Sequence, residues 1–280
     1  MALNLALVGK KSLALSHSYT WRDAVLYALG VGARMPTELD YLYEASGPKV
    51  IPTFAVVPSF TTLVNVCSQL GANLMMIVHG EQKVIQHRPI PPNGTFQTVA
   101  EVTGIYDKGK GALVVVEART TDEKGEPVFD NVFSIFVRGA GGFGGERGPE
   151  ALVADVPTDR APDFSVTERT SAEQAALYRL SGDLNPLHVS ASFAKMAGFE
   201  RPILHGLCTY GYACRAVLHS VCGSDPARFR SFAARFSGTV FPGDELTTQG
   251  WQTAPGSYVV RVVTQEGKVV LSNSIAEVAS

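Results

Sequence analysis

Apolar positions along this chain follow two periods, and they do so twice. A helical pattern runs from about Ser18 to Leu29 and leads into "GVGA". The segment "PTFAVVPSF" (52–60) is apolar and proline-bounded, and "TTLVNVCSQLGANLMMIVHGEQ" (61–82) reads as a helix followed by a strand. Strict alternation then takes over, the pattern of half-buried strands. "VIQHRPIPPNGTFQTVAEVTGIYDKG" gives strand, turn, strand, turn. "GALVVVEARTTDEKGEPVFDNVFSIFVRG" gives two long β-branched strands about the turn "DEKGEP". Short connections predict antiparallel pairing.

The second half repeats the order. Ser171 is placed to cap a helix over "AEQAALYRL" that stops at Gly182, and "SASFAKMAGF" is a second short helix. In "RPILHGL" (201–207) a short Pro-Ile-Leu strand leads into "LHGLCTYGYACRAVLHSVCG" (204–223), a longer, mostly apolar helix with Gly223 as its stop. Three turns, "FPGDE", "APGS" and "QEGK", then divide the remainder into strands. "PPNGTFQTVAEV" (91–102) and "FPGDELTTQGWQ" (241–252) carry proline, glycine, an apolar residue and threonine in the same order, each followed by two strands. The echo predicts two copies of one unit, a helix buried by an antiparallel sheet.

Between the halves the pattern lapses. "RGAGGFGGERGPE" is glycine-rich and "VPTDRAPDF" is polar and proline-rich, which makes this the best domain boundary. Glycine amides can cradle a phosphate, but the stretch lacks the Lys-Ser/Thr of a P-loop and no clear amphipathic helix follows. Composition narrows the partners. The formal charge of −2 over 280 residues gives no basic footprint for nucleic acid. No apolar run approaches a membrane span, and "MALNLALVGKKS" lacks the basic start of a secretory signal. The four cysteines form no C-x-x-C pair, and the six histidines show no metal-ligand spacing, so neither disulfides nor a metal is expected.

Candidate chemistry concentrates in "SGDLNPLH" (181–188). Pro186 forces Asn185 out of helical geometry, so the segment turns and can bring Asp183 and His188 to one site. A carboxylate beside an imidazole is an acid–base pair, and Asn185 could orient either. The plainer alternative is an Asx-turn at Asp183 and a surface histidine at 188. In "RPILHGL", Gly206 opens the long helix, whose free N–H groups suit a developing oxyanion, or simply form a tight turn into a core helix.

"YRLSGDLNPLHVSASFAKMAGFERPILHGLCTYGYACRAVL" resembles the hydratase 2 motif of the MaoC-like family, which includes (R)-specific enoyl-CoA hydratases and a domain of peroxisomal multifunctional enzymes. "YALGVGA" (27–33), "YLYEASG" (41–47), "PTFAVV" (52–57), "VHGEQ" (78–82), "GGFGG" (141–145) and "PGDEL" (242–246) extend the resemblance to the double-length branch across essentially the whole chain. It implies an α+β double hot dog, each unit an antiparallel sheet wrapped around a helix. Residues 1–140 would form an N-terminal unit without the catalytic turn, 141–163 a linker, and 164–280 the unit carrying it.

The implied reaction is hydration of trans-2-enoyl-CoA to (3R)-3-hydroxyacyl-CoA in fatty acid β-oxidation. Asp183 and His188 would be the catalytic pair, Asn185 would help position the water, and the Gly206 amide would hold the thioester oxygen. Substrate contacts carry over to His79, Gly80, Lys108, Leu184, Pro186, Leu187 and Phe236. Residue by residue, Lys108 reads equally as a turn lysine and Phe236 as plain core. Glu44 matches a family glutamate whose role stays open between catalysis and structure, with structure favoured. No cofactor or metal is expected, since the coenzyme A thioester is the substrate. A homodimer is expected. The location is peroxisomal by resemblance, with the cytoplasm as alternative because "EVAS" is not an S-K-L type address. The competing readings are a hot dog thioesterase, a dehydratase of carrier-bound 3-hydroxyacyl chains, and a non-catalytic acyl-CoA-binding module.

Overall fold

The computed structural model describes residues 3–73, 76–149 and 153–279. The first half comprises β1 (Leu15–Tyr19), α1 (Trp21–Gly30), α2 (Leu39–Leu42), α3 (Val56–Gln69), β2 (Ile77–Gln86), β3 (Gly94–Asp107), β4 (Gly111–Thr121) and β5 (Pro127–Arg138). The second comprises β6 (Phe164–Arg169), α4 (Gln174–Tyr178), α5 (Ala191–Met196), α6 (Gly206–Val221), β7 (Phe229–Phe236), β8 (Glu245–Ala254), β9 (Ser257–Thr264) and β10 (Val269–Val278).

Among the described residues the strands form one antiparallel sheet in the order β1-β3-β4-β5-β2-β7-β10-β9-β8-β6. Read outward from the β2–β7 seam, the two halves match strand for strand, and β3 answers β8, as the sequence echo predicts. This is the double hot dog, two five-stranded units joined edge to edge. Alternation in β3 and β4 puts Ala100, Val102, Val114 and Val116 inside, where α3 packs with Leu63 and Val66. In the other unit α6 is buried continuously from Leu207 to Leu218. Tyr210 on α6 pins the seam. Its hydroxyl donates to Phe232 O (2.6 Å) on β7 and accepts from Val84 N (3.2 Å) on β2.

Three local expectations change. The helix read from about Ser18 begins at Trp21, because Ser18 and Tyr19 pair with Thr95 and Gly94 at the end of β1. Ser171 does not cap α4 with its side chain. Instead the Ser171 amide donates to the Gln174 side chain (3.3 Å), whose Nε2 donates onward to Gly30 O (2.6 Å) and whose oxygen accepts from Tyr212 (2.9 Å). The bond to Gly30, which crosses between the halves, and those to Ser171 and Tyr212 hold Gln174 at the start of a five-residue helix, followed by a 3₁₀ turn over Arg179–Ser181. Pro202–Leu204 is not a strand. It has no regular secondary structure, with Leu204 N donating to Val240 O (2.8 Å). The glycine-rich stretch cradles an internal anion. Gly142, Gly109 and Gly144 amides converge at 2.8–2.9 Å on the Asp107 carboxylate and hold its pKa below the usual carboxylate range.

Candidate active site

The 183–188 turn is assembled by short-range rules. Gly182 ends the 3₁₀ turn at φ +124°, a conformation L side chains rarely adopt, and releases Asp183 from the helix direction. Asp183 Oδ1 accepts from Asn185 N (3.1 Å), and Asn185 Oδ1 accepts from Leu187 N (3.0 Å). These are successive Asx-turns, and the second caps the 3₁₀ turn Pro186–His188. Arg179 Nη2 donates to Leu184 O (3.0 Å) and closes the loop. Asp183 therefore does make the plain structural turn, but with one oxygen only.

The other oxygen faces His188. Asp183 Oδ2 lies 4.0 Å from His188 Nε2. His188 is buried rather than a surface residue, and its Nδ1 is 2.9 Å from Ile203 O. A carbonyl only accepts, so Nδ1 carries the proton and Nε2 presents a lone pair towards Asp183. Burial pushes the His188 pKa down, and the Asp183 charge offsets part of that effect. Two acceptors thus face each other across a gap that is too wide for a direct hydrogen bond.

His205, immediately before α6, completes the cluster. Its ring stacks on His188 with centroids 3.6 Å apart, and its Nε2 lies 3.1 Å from Asp183 O. Among the described residues, Asp183, His188 and His205 form the group whose ligand-type atoms all lie within 4.8 Å of one another. Sequence spacing does not reveal this grouping, because the third member arrives through the 182–205 excursion.

Gly206 follows directly. Its amide enters no backbone hydrogen bond, as expected at the first position of a helix. A Cβ there would sit 3.0 Å from the Phe236 ring. Phe236 in turn lies 4.9 Å from the His79 ring across the β2–β7 seam. His79 is fixed by Glu81 O (3.1 Å), and burial pushes its pKa down to about 4. Gly80 marks a register shift in the β2–β5 ladder, where a Cβ would meet Ser134 O at 3.3 Å, which gives this glycine a backbone reason of its own.

Asp183, Asn185, His188, Gly206, Phe236 and His79 are therefore joined in a continuous path, with Leu184, Pro186 and Leu187 as the exposed or half-exposed outer side of the turn. Lys108 and Glu44 stand apart from it. Lys108 sits on the β3–β4 turn with its Nζ 3.4 Å from Pro149 O. Glu44 is exposed on the short 3₁₀ turn Glu44–Ser46. The buried glutamate of that region is Glu38, which binds Arg215 (Nε to Oε1 2.9 Å) and His219 (2.7 Å). A single arginine inside the otherwise apolar α6 pattern was the available signal for that network.

Comparison with known proteins shows the family. Residues 17–139 match the MFE-2 hydratase 2 N-terminal domain and residues 154–278 match the MaoC like domain. A probable enoyl-CoA hydratase 2 of Dictyostelium discoideum is 40% identical over 277 residues, covering 96% of this chain and 94% of that protein. The chain belongs to the MaoC-like hydratase 2 family. Peroxisomal multifunctional enzyme type 2 of Mus musculus is 40% identical over 278 residues, which span 96% of this chain but 38% of that protein. The crystal structure of a MaoC-like dehydratase from Phytophthora capsici superposes with a TM-score of 0.90 at 33% identity, covering 100% of this chain and 98% of that one. The hydratase 2 halves therefore map onto the two units of the sheet.

Proposed function

We propose that this hydratase 2 family member adds water across the double bond of trans-2-enoyl-CoA to give (3R)-3-hydroxyacyl-CoA, using Asp183 and His188 to activate the water. The observation that carries the reading is the 4.0 Å gap between Asp183 Oδ2 and His188 Nε2. One water hydrogen-bonded to both at about 2.8 Å, with an angle between a right angle and tetrahedral, sets two acceptors about 4.0–4.6 Å apart. Two ligands of a tetrahedral zinc, each bonded at about 2.1 Å, would sit about 3.4 Å apart. The spacing suits a water, and the reading needs no metal or redox cofactor.

In the proposed reaction the water oxygen bonds to C3 as the C2–C3 π electrons move towards the thioester. The Gly206 N–H stabilises the resulting enolate oxygen. A proton returns from the Asp183/His188 pair to C2, on the face from which water came, so the net change is addition of H and OH. Asn185, with Oδ1 engaged by Leu187 N, keeps its amide N–H group to position the water. His79, Gly80 and Phe236 bring the N-terminal half to the acyl group, and Lys108 is assigned to the coenzyme A phosphates. We assign 1–140 the substrate-shaping role, 141–163 the linker and 164–280 the catalytic turn. Glu44 is assigned a structural part.

A second reading is favoured by the Phytophthora relative's description as a dehydratase. It is the same path run backwards, since one acid–base pair serves both directions. The peroxisomal name of the mouse relative supports a setting in peroxisomal β-oxidation, and the family resemblance supports a homodimer. The test is incubation with short, medium and long trans-2-enoyl-CoAs, following loss of the conjugated enone absorbance. Accumulating hydroxyacyl-CoA supports the reading. Release of free thiol without hydroxyacyl product would replace it with a thioesterase.

A further inference from the structure

We propose that His205 is a third, positioning member of the site. It holds the Asp183 main chain through its Nε2–H and braces the protonated form of His188 with the face of its neutral ring. The inference rests on the hydratase reading for its kinetic consequences but not for its structural one.

Three observations converge on this residue. First, Nε2 lies 3.1 Å from Asp183 O, and because a carbonyl only accepts, Nε2 must carry the ring proton. The bond ties the start of α6 to the residue that presents the reacting carboxylate. Second, the ring is stacked on His188 at 3.6 Å with 26° between planes. When His188 holds a proton during turnover, a neutral π face at that distance attracts the imidazolium. Third, the ring is fully buried at 1% exposure, with Nδ1 left as a lone pair that no described residue satisfies. A buried unpaired acceptor is a cost that a leucine of similar size would avoid. A side chain serving only to fill this space has no reason to bear that cost.

The surroundings keep the ring neutral. Burial and the neighbouring His188 push its pKa down to about 3. Arg179 adds positive charge beside both imidazoles, Asp183 adds the opposing charge, and the Tyr178 ring closes the far side at 4.9 Å. His188 can therefore take the proton while His205 stays neutral.

Three variants separate the two contributions. His205→Phe keeps the ring and loses the bond to Asp183. His205→Gln offers an amide to Asp183 O and loses the ring. His205→Leu loses both. In folded protein, checked by circular dichroism, His205→Leu is expected to lower kcat by about 10–100-fold with KM nearly unchanged, the signature of an interaction made in the transition state. Phe and Gln should each recover part of the loss. The acid limb of the kcat profile should move to lower pH in the Leu and Gln variants but not in Phe. Independently of turnover, ¹⁵N NMR of histidine-labelled wild-type protein at pH 7 should show His205 protonated at Nε2 and bare at Nδ1. A folded His205→Leu with wild-type kcat and an unmoved acid limb would overturn the proposal, as would an Nδ1–H tautomer. If the wild type hydrates no enoyl-CoA, the hydratase reading fails, and the NMR tautomer still decides the positioning bond.

Discussion

At the scale of single residues, burial lowers the pKa of four histidines, His17 on β1 and three in and around the candidate site. His205 is held down to about 3, His79 to about 4, and His188 below its ordinary value. All three titrate normally once unfolded, near 6.5. Below that pH the unfolded chain binds protons that the folded chain refuses, so stability is fully present above about 6.5 and is lost as pH falls towards the folded values. Between pH 6.5 and 5, each of His79 and His205 should cost about 2 kcal/mol of stability. Chemical denaturation at pH 7, 6 and 5 should show this decline, and His79→Gln should flatten it. A stability constant across that range would mean the rings are protonated in the fold. The sequence exposed the Asp183/His188 pair through its spacing about Pro186, since turn chemistry is local. It hid the partnership of His205, and equally the burial of Glu38, because both depend on contacts between residues far apart in the chain.

At the scale of elements, α6 organises the molecule and is also its tightest fit. Gly211 passes so close to the end of α1 that a Cβ there would lie 2.3 Å from Val31 Cγ1. Both partners are buried, with no free volume to yield. Gly211→Ala should therefore destabilise the fold by about 1–3 kcal/mol through overpacking, although alanine is the better helix former. A thermal melt would register it, and an unchanged or raised Tm would show that α1 and α6 are not packed in this way. Long elements such as α6 and the strand pairs were legible because their periodicity reflects burial directly. The short α4 was not bounded correctly, since Gln174 bonds across to Gly30 rather than within its own helix. Pro202–Leu204 read as a strand by its apolar residues, yet it has no ladder beside it to join.

At the scale of the whole molecule, the halves are fastened by the β2–β7 seam, by the Gln174–Gly30 hydrogen bond and by a buried ion network. Arg215 of the second half donates to Glu38 (2.9 Å) and Val31 O (2.9 Å) of the first, and to Glu168 (3.0 Å) of its own. Burial alone would raise the Glu38 pKa, but hydrogen bonds from His219 and Arg215 outweigh it and hold it at about 2. Arg215→Met leaves that charge buried without its main partner and should cost about 3–5 kcal/mol, while the Glu38→Gln/Arg215→Met double variant should recover much of the loss. Equal stability of the single and double variants would show that the pair does not act as a unit. The internal echo of proline-glycine turns announced two copies of one unit. It could not announce how they join, because seam pairing is a long-range choice with no local signature.

The proposed chemistry centres on the turn at Asp183. The most direct measurement is the rate and product chirality of trans-2-enoyl-CoA hydration by the wild type and by Asp183→Asn. The wild type should form the (3R)-hydroxyacyl product. The folded variant should lose about 10²–10⁴-fold in kcat while still binding a saturated acyl-CoA. A (3S) product, or an Asp183→Asn variant that turns over at the wild-type rate, would contradict it.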